Sequence, residues 1–193
     1  MVSAMPHPWI RNETEVIGGG LPIRPALRHG RAMDAAPPDK LELALPSLAE
    51  TEALARRVGR LLRAGAAVLL SGPLGAGKSA FARALLRDMA GDPALEVPSP
   101  TFTLVQSYET PRGLVHHYDL WRIESGPDFR ALSELGLDDA FRDITLIEWP
   151  DRLGGYAPAD ALGIAITLGP DGARRATISG WPDRLPQLTM ESA

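Results

Sequence analysis

The residues best placed to do chemistry lie in one short stretch, Gly72-Pro73-Leu74-Gly75-Ala76-Gly77-Lys78-Ser79. Glycine lacks a Cβ, so Gly72, Gly75 and Gly77 let the backbone curl until successive amides point inward at phosphate oxygens. Lys78 then supplies a mobile positive charge for the terminal phosphates of a nucleotide, and Ser79 offers a hydroxyl oxygen to Mg²⁺. A helix starting at Lys78 adds its positive end to the same anion. Lysine occurs here only at positions 40 and 78, while 18 arginines carry the remaining basic charge. The chain thus keeps a compact ammonium where a flat guanidinium fits badly.

Hydrolysis of a bound triphosphate also requires carboxylates near the metal and the attacking water. Asp119 closes the run Val115-His116-His117-Tyr118, and Glu148 closes Ile144-Thr145-Leu146-Ile147. Acids at the ends of parallel strands face the crevice where phosphates sit. Between the loop and the first of them lies Ser99-Pro100-Thr101-Phe102-Thr103, at the chain position of a nucleotide-sensing switch, with Thr101 as its candidate sensor. His116 and His117 fit no tetrahedral zinc spacing, and neighbours on a strand face opposite ways, so both read as hydrogen-bonded histidines rather than ligands.

These groups need a scaffold. Leu41–Leu45 alternates as a strand, and Ser47 with Glu50 forms a capping box ahead of a helix striped by Leu54, Val58, Leu61 and Leu62. Ala66–Leu70 is a short apolar run suited to a buried parallel strand, and Lys78–Ala90 reads as a helix that Gly91 can end. Two strand-like stretches follow, Phe102–Tyr108 and Leu114–Leu120, around the turn Pro111-Arg112-Gly113. Phe129, Leu132 and Leu135 mark a short helix stopped at Gly136, and Ile144–Trp149 is a buried strand ended by Pro150. Leu162–Leu168 and Arg174–Ser179 flank Pro170-Asp171-Gly172 as a hairpin. The interleaving predicts an α/β sheet with antiparallel strands toward its C-terminal side.

Composition narrows the field. The chain has 193 residues, 45% hydrophobic and 23% charged, with no cysteine, so it can bury a core and holds no disulfide or thiolate metal site. No apolar run approaches a membrane span and no block near Met1 reads as a secretory signal, so a cytoplasmic, non-membrane protein is expected. Residues 1–38 contain six of the 18 prolines and Gly18-Gly19-Gly20 without apolar periodicity. They are expected to be a disordered extension, with Met33 as an alternative start. The expected domain spans 39–185, followed by a tail, 186–193. Residues 39–193 carry 16 basic and 21 acidic side chains, a balance poorly suited to gripping a phosphate backbone over a wide face.

In order and approximate spacing, the loop Gly72–Ser79, the segment Ser99–Val105, the run His117-Tyr118-Asp119-Leu120-Trp121-Arg122, Glu134-Leu135-Gly136 and Leu146-Ile147-Glu148-Trp149-Pro150 resemble the TsaE family. These are small bacterial ATPases needed to make threonylcarbamoyladenosine beside the tRNA anticodon, and the likeness covers about residues 40–180. It implies a P-loop NTPase-like fold: a mixed, mainly parallel sheet flanked by helices, with antiparallel C-terminal strands. It further implies that Gly75, Ala76, Gly77, Lys78, Ser79 and Ala80 wrap the phosphates of ATP or ADP. Ser79 and Glu148 would coordinate Mg²⁺, Asp119 would serve hydrolysis, Thr101 would belong to a switch-like loop, and Trp149 would support activity. Ser79 stands where the family usually has Thr, Ala80 where many members carry a second hydroxyl, and Trp121 where a Tyr is usual. The implied partners are TsaD and TsaB, with tRNA met mainly through that complex. There ATP binding and hydrolysis would reset the transferase assembly rather than perform the transfer.

Three other functions are compatible with a phosphate-binding loop. A small-molecule kinase needs an acceptor pocket and usually an arginine-bearing lid; Arg142 and Arg152 could serve, but nothing in the sequence marks a lid segment. A GTPase needs an Asn-Lys-x-Asp motif, which is absent because neither lysine follows an Asn. A non-catalytic nucleotide sensor needs only the loop itself.

Overall fold

A computed structural model of the chain describes residues 40–123 and 129–189. The expected extension 1–38, including Met33, and the end of the expected tail lie outside these residues. Seven strands form one sheet in the order β1-β7-β6-β2-β5-β4-β3. In chain order they are β1 (Lys40–Leu45), β2 (Ala67–Ser71), β3 (Val105–Thr110), β4 (Gly113–Asp119), β5 (Ile144–Glu148), β6 (Leu162–Leu168) and β7 (Arg174–Ser179). β6, β2, β5 and β4 run parallel. β7 opposes both β6 and β1, and β3 opposes β4. The mixed α/β sheet expected from the sequence is the one observed, with a parallel centre β6-β2-β5-β4 and antiparallel pairings at both edges.

Each face of the sheet is covered, which explains the short apolar strands at its centre. β5 is buried along its whole length, and its neighbours Leu146 and Ile147 belong to different hydrophobic clusters on opposite faces. One face packs α1 (Leu48–Leu61) and α2 (Lys78–Ala90), through Leu54 and Val58 of the first and Phe81, Leu85 and Met89 of the second. Such i, i+4 spacing lays a single apolar stripe against the strands. Ser47 caps α1 by accepting the Ala49 N–H at 3.1 Å, and its hydroxyl is taken up by Glu50. The opposite face packs Leu132 of α3 (Phe129–Glu134) and Leu137 of α4 (Leu137–Ala140) on Tyr118 and Ile147.

Several boundaries differ from those read in the sequence. Phe102–Leu104 is a turn rather than the start of a strand: Phe102 is exposed, and Leu104 has φ 65° with its N–H on the Pro100 carbonyl. A local hydrogen bond there outweighs β propensity. The helix α4 beyond Gly136 was not foreseen, being too short to show periodicity. At the C-terminus, Leu185–Leu188 forms a 3-10 turn with both leucines buried, so packing continues past the expected boundary at 185. No helix among the described residues is long and apolar enough to cross a membrane.

Tyr118 lies beneath α3, 2% exposed, with its hydroxyl donating to the Leu135 carbonyl at 3.1 Å, and burial pushes its pKa up to about 12. An unfolded chain releases that proton near its ordinary value of about 10, so above that pH the unfolded state binds fewer protons than the native one. Stability should therefore fall by about 2 kcal/mol as pH rises from about 10 toward 12. Urea unfolding of Tyr118→Phe beside the parent should show the variant lacking this part of the alkaline loss.

Candidate functional site

Parallel strands bring their C-terminal ends to one side of the sheet, and the candidate residues gather there. In the register, Asp119 of β4 pairs with Glu148 of β5, and Glu148 pairs with Leu70 of β2. The chain leaves β2 through Gly72 (φ 138°), where an added Cβ would drive into the carbonyl oxygen of Ile166 on β6. Only glycine fits that approach. Gly77 (φ 114°) turns the loop into α2, and the Phe81 N–H returns to its carbonyl at 2.9 Å. Arg174 of β7 braces the loop from outside, Nε donating to the Ala76 carbonyl at 3.1 Å.

Lys78 is 5% exposed. Its Nζ donates to the carbonyls of Gly72 at 2.8 Å and Pro73 at 3.0 Å and lies 4.0 Å from the Trp149 ring centroid. Burial draws its pKa below the ordinary lysine value, against the opposing pull of Glu148, Asp119 and Asp151. Trp149 reaches this position with φ 61° and packs on Trp121 with ring centroids 4.4 Å apart. That this residue covers a lysine is not legible in the sequence, where an indole after a strand end reads as exposed.

Both carboxylates are buried, Asp119 at 4% and Glu148 at 2% exposure, and both are hydrogen-bonded. One Asp119 oxygen accepts from the hydroxyls of Ser99 and Thr101, each at 2.7 Å, and the other from the Trp121 N–H at 3.1 Å. The loop is strapped to the same strand by the Asp119 N–H on the Leu104 carbonyl at 3.0 Å. Glu148 Oε2 accepts from Ser79 Oγ at 3.2 Å, and Oε1 from His117 Nε2 at 3.0 Å. Ser79 and His117 thus fix Glu148, while Ser99, Thr101 and the Trp121 amide fix Asp119, and a positive ligand or a water beside them would meet several held oxygens at once.

A cleft of about 420 Å³ collects these groups. Gly75, Gly77, Lys78, Ser79, Ala80, Thr101, Asp119 and Glu148 line it, together with Ser99, Trp121 and Trp149. Gly72 and Ala76 do not; they act from beneath, through the carbonyls that hold Lys78 and Arg174. Sequence alone does not single out Ser99, His117 or Arg174 as residues that hold the site. His117 had a signal, since it stands two positions before Asp119 on a strand and so shares its face. His116 points away, to Ser107 at 2.7 Å and Asp143 at 3.4 Å, as expected of adjacent strand residues. A larger groove of about 580 Å³ between α1 and α2 gathers Arg56, Arg83 and Arg87 but no comparable set of buried polar groups.

A glycine-rich turn from a buried parallel strand into a helix, with two acidic strand ends beside it, defines an α/β protein of the P-loop NTPase type. The family described as threonylcarbamoyl adenosine biosynthesis protein TsaE matches residues 45–176. The chain belongs to this family. It is 34% identical over 136 residues to the tRNA threonylcarbamoyladenosine biosynthesis protein TsaE of Rickettsia bellii, covering 70% of this chain and 92% of that protein. It is 38% identical over 111 residues to the protein of that name from Aquifex aeolicus, covering 58% of this chain and 77% of the relative. Among solved structures, Bacillus subtilis YdiB superposes with a TM-score of 0.60 at 25% identity, covering 77% of this chain and 90% of that one.

Proposed function

We propose that the protein is the ATP-binding and ATP-hydrolysing subunit of the machinery that forms threonylcarbamoyladenosine beside the tRNA anticodon. Its partners in this reading are TsaD and TsaB, in the cytoplasm. Its ATPase cycle resets that assembly between turnovers instead of performing the transfer, and tRNA is met mainly through the complex. The observation that carries the reading is the convergence of Ser79, Glu148, Asp119 and the glycine-rich loop on one cleft. Family membership supplies the pathway.

The donor set suits magnesium. The Ser79 hydroxyl and the Glu148 carboxylate are hard oxygens already in contact, and no group of three or more His, Cys, Asp or Glu able to hold a metal occurs among the described residues. Mg²⁺ is held in this sparse way, by one or two protein oxygens with substrate phosphates and water completing its shell. When bound it neutralises phosphate charge and polarises the transferred phosphoryl group. Amides of Gly75–Ala80 hold the phosphates, and Lys78 exchanges the Gly72 and Pro73 carbonyls for phosphate oxygens. Asp119 fixes the attacking water, its own orientation set by Ser99, Thr101 and the Trp121 amide. A phosphate near Thr101 competes for these hydroxyl bonds, so the segment 99–104 senses the nucleotide state.

The kinase alternative gains nothing. Arg142 pairs with Asp139 and Arg152 with Asp151, and neither lines the cleft. The deciding experiment follows phosphate release from labelled ATP by the purified protein, alone and with TsaB and TsaD, and tRNA modification in an extract lacking its own family member. Free phosphate and restored modification are expected; label on a metabolite would establish a kinase instead. In the same assay Asp119→Asn should bind ATP within about threefold of the parent while hydrolysis falls about 100-fold or more, the scale of a lost water-orienting group. Parental turnover would reduce Asp119 to a structural acid.

A further inference from the structure

His117 is 1% exposed, two residues before Asp119 on β4 and in contact with Glu148 on β5, and it does not line the cleft. Its Nε2 lies 3.0 Å from Glu148 Oε1, while its Nδ1 is buried with no hydrogen-bond partner among the described residues. The Glu148 oxygen turned the other way, Oε2, holds Ser79 Oγ at 3.2 Å. From these contacts we infer that His117 is a positioning residue: its Nε2–H clamps one Glu148 oxygen so that the other stays aimed at Ser79 and the cation they share.

The tautomer follows from the cost of stranding a buried group. With the proton on Nε2, the imidazole donates to a carboxylate and the atom left over is a bare lone pair on Nδ1. With the proton on Nδ1, a buried N–H has no acceptor, and two acceptors, Nε2 and Oε1, face each other. A buried donor with no acceptor is costly, and opposed lone pairs add to that cost. A carboxylate with one oxygen held in this way loses its rotational freedom, which is what a two-oxygen metal site needs from a flexible glutamate. Aspartate at 119, a shorter side chain, obtains the same rigidity from Ser99, Thr101 and the Trp121 amide.

The inference rests on the nucleotide and Mg²⁺ reading above, and its test separates the two. Full-length parent, His117→Gln and His117→Leu are loaded with ADP, and Mn²⁺, a paramagnetic stand-in for Mg²⁺, is titrated by electron paramagnetic resonance. Gln places an amide N–H near the Nε2 position; Leu fills the space without a donor. Leu should weaken Mn²⁺ binding about 10- to 100-fold, Gln should restore it to within about threefold, and ADP affinity in EDTA should stay within about twofold for both. Equal weakening by Gln and Leu, or none by Leu, overturns the positioning role. A parent that binds ADP but no Mn²⁺ overturns the metal reading itself, and the inference with it. The parent alone provides a measurement independent of variant folding: ¹⁵N resonances of His117 should report a proton on Nε2, and a proton on Nδ1 with Nε2 bare refutes the clamp.

Discussion

Lys78→Ala is expected to weaken ATP binding by about 2–4 kcal/mol, roughly 30- to 800-fold in Kd. Three charge-assisted or cation–π contacts hold the ammonium in a nearly water-free position, and in the proposed complex phosphate oxygens would replace the two carbonyl contacts. The exchange is between similar donors and acceptors, so the gain comes from full negative charge replacing carbonyl dipoles at low local dielectric. Burial has already lowered the pKa of the group, and a triphosphate would restore it by Coulombic attraction. Lys78→Arg should recover little, because a planar fork cannot occupy the turn between Gly72 and Trp149. Calorimetric titration with ATP checks both variants, and undiminished affinity in the alanine variant removes Lys78 from the site.

Glu148→Gln is expected to lower Mg²⁺-dependent phosphate release by about 100- to 1,000-fold while leaving ADP affinity in EDTA within about threefold. Gln preserves volume on a fully buried strand and can still face His117 and Ser79, so a folding defect is not what the assay reads. It would deprive the proposed cation site of its one protein carboxylate charge. Loss of turnover together with nucleotide affinity would place Glu148 under the phosphates instead of at the metal. Parental turnover would take it out of the reaction altogether.

Much of this site is legible in the sequence because it is made of strand ends. Asp119 and Glu148 each end a strand, and the parallel register of β4 with β5 sets those last residues side by side. The loop before Lys78 is equally readable, since its glycines meet a steric need that no other residue satisfies. What the sequence hides is orientation across distance. His117 and Glu148 are 31 residues apart and meet only through the pairing of β4 with β5. Ser99 and Thr101 reach Asp119 because Leu104 turns left-handed, where β propensity favours extended chain. Trp149 covers Lys78 through a positive φ that nothing in its neighbours requires. The burial of Leu185 and Leu188 is hidden for a simpler reason: they lie in a turn too short to carry a pattern.

The wall behind Gly72 arrives late in synthesis. β2 is completed on one side by β6, whose Ile166 carbonyl confines Gly72, and the brace from Arg174 to Ala76 spans 98 residues. A nascent chain that has released α2 from the ribosome but not β6 and β7 therefore carries the whole glycine-rich motif with half its support still unmade. On the proposed nucleotide binding, such a chain would offer a ligand no finished cradle. Until the last hairpin emerges, the β6-facing margin of β2 remains an open edge, so premature termination leaves a product prone to pair with other chains.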